Sequence, residues 1–84
     1  MGNFAATVKV TLKDSVLDPQ GKAVHHALES IGFQKIKDVR VGKCFEVSLQ
    51  APDRAKADQE LKGMCEKLFS NPVIEKYVYE IREV

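Results

Sequence analysis

His25 and His26, Cys44 and Cys65, and the carboxylates Asp14, Asp18, Glu46 and Asp53 are the side chains of this 84-residue chain best suited to chemistry. A cysteine nucleophile needs a base within about 3 Å. Helical spacing turns His26 away from the apolar face of its helix and leaves His25 at the flank, while Cys44 falls on a strand face that points away from that helix. No Cys–His pair is expected from this arrangement. A soft-metal site needs paired thiolates, typically Cys-x-x-Cys, whereas Cys44 and Cys65 belong to different elements. Cys65 reads as a residue at the edge of the core and Cys44 as a strand residue. The carboxylates show no paired spacing for acid–base work, and Asp18 and Asp53 already have a sufficient role as helix caps. Gly2, Gly21, Gly32, Gly42 and Gly63 form neither Gly-x-Gly-x-x-Gly nor a Walker A pattern. Gly21-Lys22 could hold an anion at a helix start, but alone that signal is weak, and a plain helix start with a solvated lysine is the favoured reading.

The elements that must position these residues follow from periodicity. Phe4, Ala6, Val8, Val10 and Leu12 alternate with Thr7, Lys9 and Thr11, the pattern of a half-buried strand. Asp18 as N-cap and Pro19 at the first helical position open a helix. Val24, Ala27, Leu28 and Ile31 form its apolar face, and Gly32 stops it. A second strand is predicted around Lys35 to Val41, then a two-residue hairpin turn at Gly42-Lys43. The third strand places Phe45, Val47 and Leu49 on one face and Cys44, Glu46, Ser48 and Gln50 on the other. Asp53 caps a second helix with Ala57, Leu61, Met64, Cys65 and Leu68 inward. A last strand runs from Val73 to about Val84, with Tyr77, Tyr79 and Ile81 on one face.

The order βαββαβ predicts an α+β, ferredoxin-like sandwich: a four-stranded antiparallel sheet with two helices on one face. The open face is expected to carry Thr7, Lys9, Thr11, Arg40, Glu46, Ser48 and Val78, and the last strand to lie at a sheet edge, where free backbone groups invite pairing.

Composition limits the function classes. Residues 1–84 are expected to form a single domain. Basic residues (13) and acidic residues (12) nearly cancel, which argues against a general polyanion binder. No aromatics line the open face of the first and third strands, so base stacking of the RNA-recognition kind is not expected. No apolar run approaches the ~20 residues of a membrane span, and Met1 to Leu12 lacks an apolar signal segment. Two cysteines are too few for a disulfide scaffold, so a reduced, cytoplasmic setting is expected. A chain this short has little room for both a core and a deep pocket. The residues therefore point to a module that contributes surface rather than reactivity.

The run Val10-Thr-Leu-Lys-Asp-Ser-Val-Leu-Asp-Pro-Gln-Gly-Lys-Ala-Val24, with Ala27-Leu28 and Ile31-Gly32-Phe33, resembles PurS, the small subunit of formylglycinamide ribonucleotide amidotransferase (phosphoribosylformylglycinamidine synthase). Val39-Arg-Val-Gly-Lys43, Met64-Cys-Glu-Lys-Leu68, Asn71-Pro-Val-Ile-Glu75 and Tyr77-Val-Tyr-Glu80 support the likeness. It covers about Val8 to Val84, and Leu17-Asp-Pro-Gln-Gly21 is its most specific part. Met1 to Ala6 departs from the family pattern.

The resemblance implies a non-catalytic subunit of a glutamine-dependent, ATP-consuming carbon–nitrogen ligase of purine biosynthesis. It implies a large synthetase subunit, which uses ATP and magnesium, and a glutaminase subunit, with this chain bridging them and helping ammonia pass. No cofactor is implied on this chain itself. It also implies self-association, as a homodimer or tetramer. Asp18, Pro19, Gln20 and Gly21 match the family signature, either as a helix cap with a tight turn or as a partner contact. Arg40, Gly42 and Lys43 match the family hairpin: Gly42 for the turn, Arg40 and Lys43 toward partner carboxylates or water. Tyr77 and Tyr79 suit an interface or the core. Two other readings use the same fold: a small-molecule-sensing regulatory dimer and an acylphosphatase-type enzyme. The latter expects an anion-holding arginine between the first strand and the first helix, and none is present.

Overall fold

The alternation of Phe4, Ala6, Val8 and Val10 builds a long strand, β1 (Gly2–Leu12), in which these four side chains are buried to the last atom or nearly so. The computed structural model describes all 84 residues, Met1–Val84. β1 is the centre of a three-stranded antiparallel sheet, flanked by β2 (Gly42–Ala51) on one side and β3 (Glu75–Glu83) on the other. The register aligns the apolar positions: Val8 stands opposite Phe45 and Tyr79, and Ala6 opposite Val47 and Ile81. Because side chains alternate with period two, this register gathers every apolar row on one face. The other face carries Thr7, Lys9, Glu46, Ser48, Glu80 and an exposed Val78.

One helix covers the apolar face. α2 (Arg54–Met64) is capped by Asp53, whose carboxylate accepts from the Lys56 N–H at 2.8 Å. The helix runs into a π-helical turn, Cys65–Phe69, that ends when the N–H and hydroxyl of Ser70 both donate to the Cys65 carbonyl at 2.9 Å. Ala57, Leu61 and Cys65 press into the sheet residues Phe4, Ala6, Val8, Val10 and Ile81. Full burial of a side chain such as Leu61 contributes roughly 1.5–3 kcal/mol. The π turn swings Phe69 over Phe45, and the rings stack at 4.2 Å. No helix is long and apolar enough to cross a membrane.

α1 (Pro19–Ser30) begins and ends as its sequence requires. Asp18 caps it, Pro19 occupies its first turn, and Gly32 follows its end with φ at +110°, a conformation that favours glycine. It does not lie on the sheet. Gly21 is its only buried residue, and Val24 and Ile31 on its apolar face are 42% and 72% exposed. α1 and the returning residues 31–41 form an arm that extends from the end of the sheet. The molecule measures 52 × 27 × 14 Å with a radius of gyration of 16.5 Å, against about 12 Å for a compact chain of this length.

Four expectations are corrected here. The sheet has three strands rather than four, because residues 35–41 pair with no strand of their own chain. Gly42-Lys43 is no hairpin turn: both residues already belong to β2, with Gly42 opposite Thr11 and Lys43 opposite Val10. The chain therefore runs straight from the arm into the strand instead of folding back. Consequently one helix covers the apolar face instead of two, and Arg40 stands off the sheet rather than on its open face.

Candidate functional site

The signature residues converge where β1 ends, α1 begins and the arm returns. Asp18 is only 3% exposed, and both of its carboxylate oxygens are engaged. One accepts the Gly21 N–H at 2.9 Å, closing the first turn of α1, and the other accepts the Val41 N–H at 2.8 Å. One side chain thus caps the helix and ties down the strand that returns beside it. These two backbone donors, Gly21 first, hold the Asp18 carboxyl below its ordinary value against the opposing effect of burial. Gly21 must be small: the Val39 carbonyl oxygen and the Asp18 carboxylate occupy the space a Cβ would need. The Leu17-Asp-Pro-Gln-Gly21 run is therefore a structural device.

Arg40 completes the clasp. Its guanidinium donates to the carbonyls of Lys13 at 2.8 Å and Val16 at 3.1 Å, satisfying the turn that follows β1. Beside it, Asp18, Gln20, Lys43 and Glu75 line a shallow cleft of about 290 Å³. The Lys43 ammonium lies 3.8 Å from the Glu75 carboxylate and 5.9 Å from the centre of the Phe45 ring. A further ion pair, Lys76 to Asp14 at 2.9 Å, ties the start of β3 to the same turn and lowers the Asp14 pKa.

Asp18, Pro19, Gln20, Gly21, Arg40, Gly42 and Lys43, separated in sequence, thus meet at one end of the sheet. Tyr77 and Tyr79 do not join them. They sit on β3, on the face under α2, with rings 6.2 Å apart. Their hydroxyls donate to Glu66 at 3.1 Å and Asp58 at 2.9 Å. Burial, together with these carboxylates, raises both phenols, that of Tyr79 to about 12. Sequence reasoning missed these acceptors, as well as the Val39 carbonyl and the Val41 N–H. Only the tertiary fold brings such distant residues together.

The remaining reactive types are dispersed. Cys44 is exposed on the open face, and Cys65 is buried, which pushes its thiol up. His25 Nε2 donates to the Ile36 carbonyl at 3.0 Å, pinning α1 to the returning segment, and Glu29 lies 3.6 Å from the same nitrogen. No group of three or more histidine, cysteine or acidic side chains is placed to hold a metal. Asp18 and Arg40 are engaged with backbone and Lys43 with Glu75, and what the molecule offers is surface. Its two sheet edges, polar open face and projecting arm define an α+β assembly module.

A model of the family described as PurS, phosphoribosylformylglycinamidine (FGAM) synthase, matches residues 5–83. The chain is 51% identical over 81 residues to the phosphoribosylformylglycinamidine synthase subunit PurS of Bacillus subtilis, covering 96% of this chain and 95% of that one. Among solved structures, Methanocaldococcus jannaschii PurS, one of the subunits of formylglycinamide ribonucleotide amidotransferase in the purine biosynthetic pathway, superposes with a TM-score of 0.84 at 33% identity, over 96% of this chain and 98% of that one. A chain in the structure of PurLQS from Thermotoga maritima superposes with a TM-score of 0.85 at 32% identity over 100% of both chains. The chain belongs to the PurS family: it is a subunit of FGAM synthase, the glutamine-dependent ligase of purine biosynthesis.

Proposed function

We propose that this chain bridges the glutaminase subunit and the large ATP-dependent synthetase subunit, and that it supports the passage of ammonia between them. The supporting observation is the likeness to a PurLQS chain over the full length of both. ATP and magnesium belong to the large subunit, and this chain supplies shape. Ammonia is small and is mostly protonated at neutral pH. Holding its source beside its acceptor raises its effective concentration and keeps competing water out. All 84 residues act as one unit, self-associated and in the cytoplasm, with Asp18, Pro19, Gln20, Gly21, Arg40, Gly42 and Lys43 at one contact and Tyr77 and Tyr79 near another. In this reading Asp18, Gly21 and Arg40 act by holding the arm. Gln20 and the exposed ring of Pro19 are free to meet a partner, while Lys43 is paired with Glu75.

The test is reconstitution. Glutamine-dependent turnover by the large subunit and glutaminase should rise severalfold when this chain is added, while turnover with free ammonia should change little. Full glutamine-dependent turnover without it would overturn the bridging role. A saturable rise in the melting temperature with one amino acid or nucleotide, and none with the two subunits, would favour a sensor.

A further inference from the structure

The register of β3 decides which of its backbone groups are left over. At the two ends of its ladder with β1, the Lys13 N–H donates to the Ile74 carbonyl and the Val84 N–H to the Asn3 carbonyl, both at 2.9 Å. Inward bonding alternates along an antiparallel strand. Lys76, Val78, Glu80 and Arg82 therefore bond to β1, and Glu75, Tyr77, Tyr79 and Ile81 turn their backbone groups outward. Two outward groups are already taken: the Glu75 N–H donates to the Asn71 carbonyl at 2.7 Å, and the Ile81 carbonyl accepts from Arg54 at 2.8 Å. Between these ends Tyr77 and Tyr79 keep both groups open, and Ile81 keeps its N–H. Proline and bulges commonly blunt such an edge; β3 has no proline, and its register with β1 runs unbroken. Val78, in the middle of this window, is 67% exposed.

A row of charged side chains overhangs the window. Residues four apart on a helix are neighbours, and Arg54, Asp58, Lys62 and Glu66 follow that spacing from α2 into the π turn. Three of them reach β3: Arg54 at the Ile81 carbonyl, Asp58 at the Tyr79 hydroxyl and Glu66 at the Tyr77 hydroxyl. Lys62 stands between Asp58 and Glu66, hence level with Val78, and it is exposed and makes no ion pair. These charges select the occupant. A second copy paired two-fold about Val78 would match Lys76 with Glu80 on the open face. On the helix side it would set Lys62 against Lys62 and Asp58 against Glu66, and like charges set opposite each other are destabilising. A carboxylate from a different chain pairs with Lys62 instead.

We propose that the outer edge of β3 takes an extended strand from a larger subunit of the synthase, and that this strand carries an aspartate or glutamate facing Lys62. Its backbone pairs with Tyr77, Tyr79 and the Ile81 N–H. In strand addition of this kind main-chain bonds supply affinity and alternate side chains supply specificity. The residue beside the acid lies on the open face against Val78 and is apolar, β-branched by preference. The proposal rests on the bridging reading above and specifies one of its contacts.

The experiment is residue-resolved hydrogen exchange on the full chain, alone and mixed with both larger subunits. In the chain alone the amides of Tyr77, Tyr79 and Ile81 should exchange as open backbone, while those of Val78 and Glu80 are protected by β1. In the mixture the three outward amides should slow at least about tenfold, and adding the subunits one at a time identifies which of them carries the strand. K62E should weaken association at least about tenfold, and K62R, which keeps the charge, should retain it; neither should lower the melting temperature of the chain. Outward amides that stay fast in the mixture would overturn the proposal whatever the turnover, whereas full glutamine-dependent turnover without this chain would overturn the bridging reading. Slow outward amides in the chain alone would give the edge to a second copy and would also overturn the proposal. Unchanged association of K62E would remove the acidic strand.

Discussion

The carbonyl oxygen of Val39 fills the space that a Cβ on Gly21 would occupy. Neither neighbour can yield easily, since Val39 presents backbone and Asp18, on the other side, is bound at both oxygens. G21A should therefore lose about 1–3 kcal/mol of stability, the range of overpacking. Gly63 provides the contrast. It sits inside α2 with open space where its Cβ would be, so G63A should gain about 0.5–1 kcal/mol by restricting the unfolded chain. Urea midpoints of the two variants, moving in opposite directions, would check both.

Asp18 gives the fold a pH dependence with a definite sign. Its folded pKa lies below the ordinary 3.8, chiefly through the Gly21 N–H and then the Val41 N–H. The unfolded chain therefore binds this proton more readily. The stabilisation is fully present above the ordinary carboxylate range and is lost as pH falls below 3.8 through the folded value. Asp14, paired with Lys76, shifts in the same direction. The difference between the protein and D18N isolates Asp18. Denaturant midpoints at neutral pH and at successively lower pH should converge for the two as the solution becomes acidic.

What the sequence revealed and what it hid divide along chain distance. The Asp18 and Asp53 caps, the Gly32 stop and the parity of Phe4 to Leu12 depend on neighbours a few residues away, and each stands where the pattern placed it. Alternation from Lys35 to Val41 reports a strand's preference for an edge but not which edge, and within one chain it finds none. Gly42 suggested a turn because glycine is common there, but its role is to lie close against Val10 and Thr11 at the start of β2. The clasp was legible as a signature and not as a mechanism, since Asp18 and Val41 meet only in the fold. The π turn after Met64 leaves no local mark in the composition.

The two thiols should report their surroundings directly. Cys44 is exposed, and Cys65 is fully buried with its thiol pushed up by desolvation and then by Glu66. A thiolate is the reactive form, so Cys65 is protected by both burial and protonation. A maleimide or aromatic disulfide reagent should modify one thiol per native chain and two in denaturant, and C44S should remove the fast reaction. Rapid modification of both thiols in the native protein would mean that the π turn opens readily.

The tyrosines supply the remaining test, at alkaline pH. The chain has only two, Tyr77 and Tyr79, and both donate their phenolic protons to carboxylates on the element above. Losing that proton would set a phenolate against Glu66 or Asp58 in a partly desolvated site. Both phenols therefore rise above the ordinary 10.0, Tyr79 to about 12. For an acid whose folded pKa is raised, the stabilisation is complete below the unfolded value and disappears as pH climbs through the folded one. A spectrophotometric titration of phenolate should thus begin late, with Y79F removing the later of two steps and D58N bringing that step earlier. Two phenols titrating together near 10.0 would place both side chains in water, and the seam between β3 and α2 would then be looser than the hydrogen bonds require.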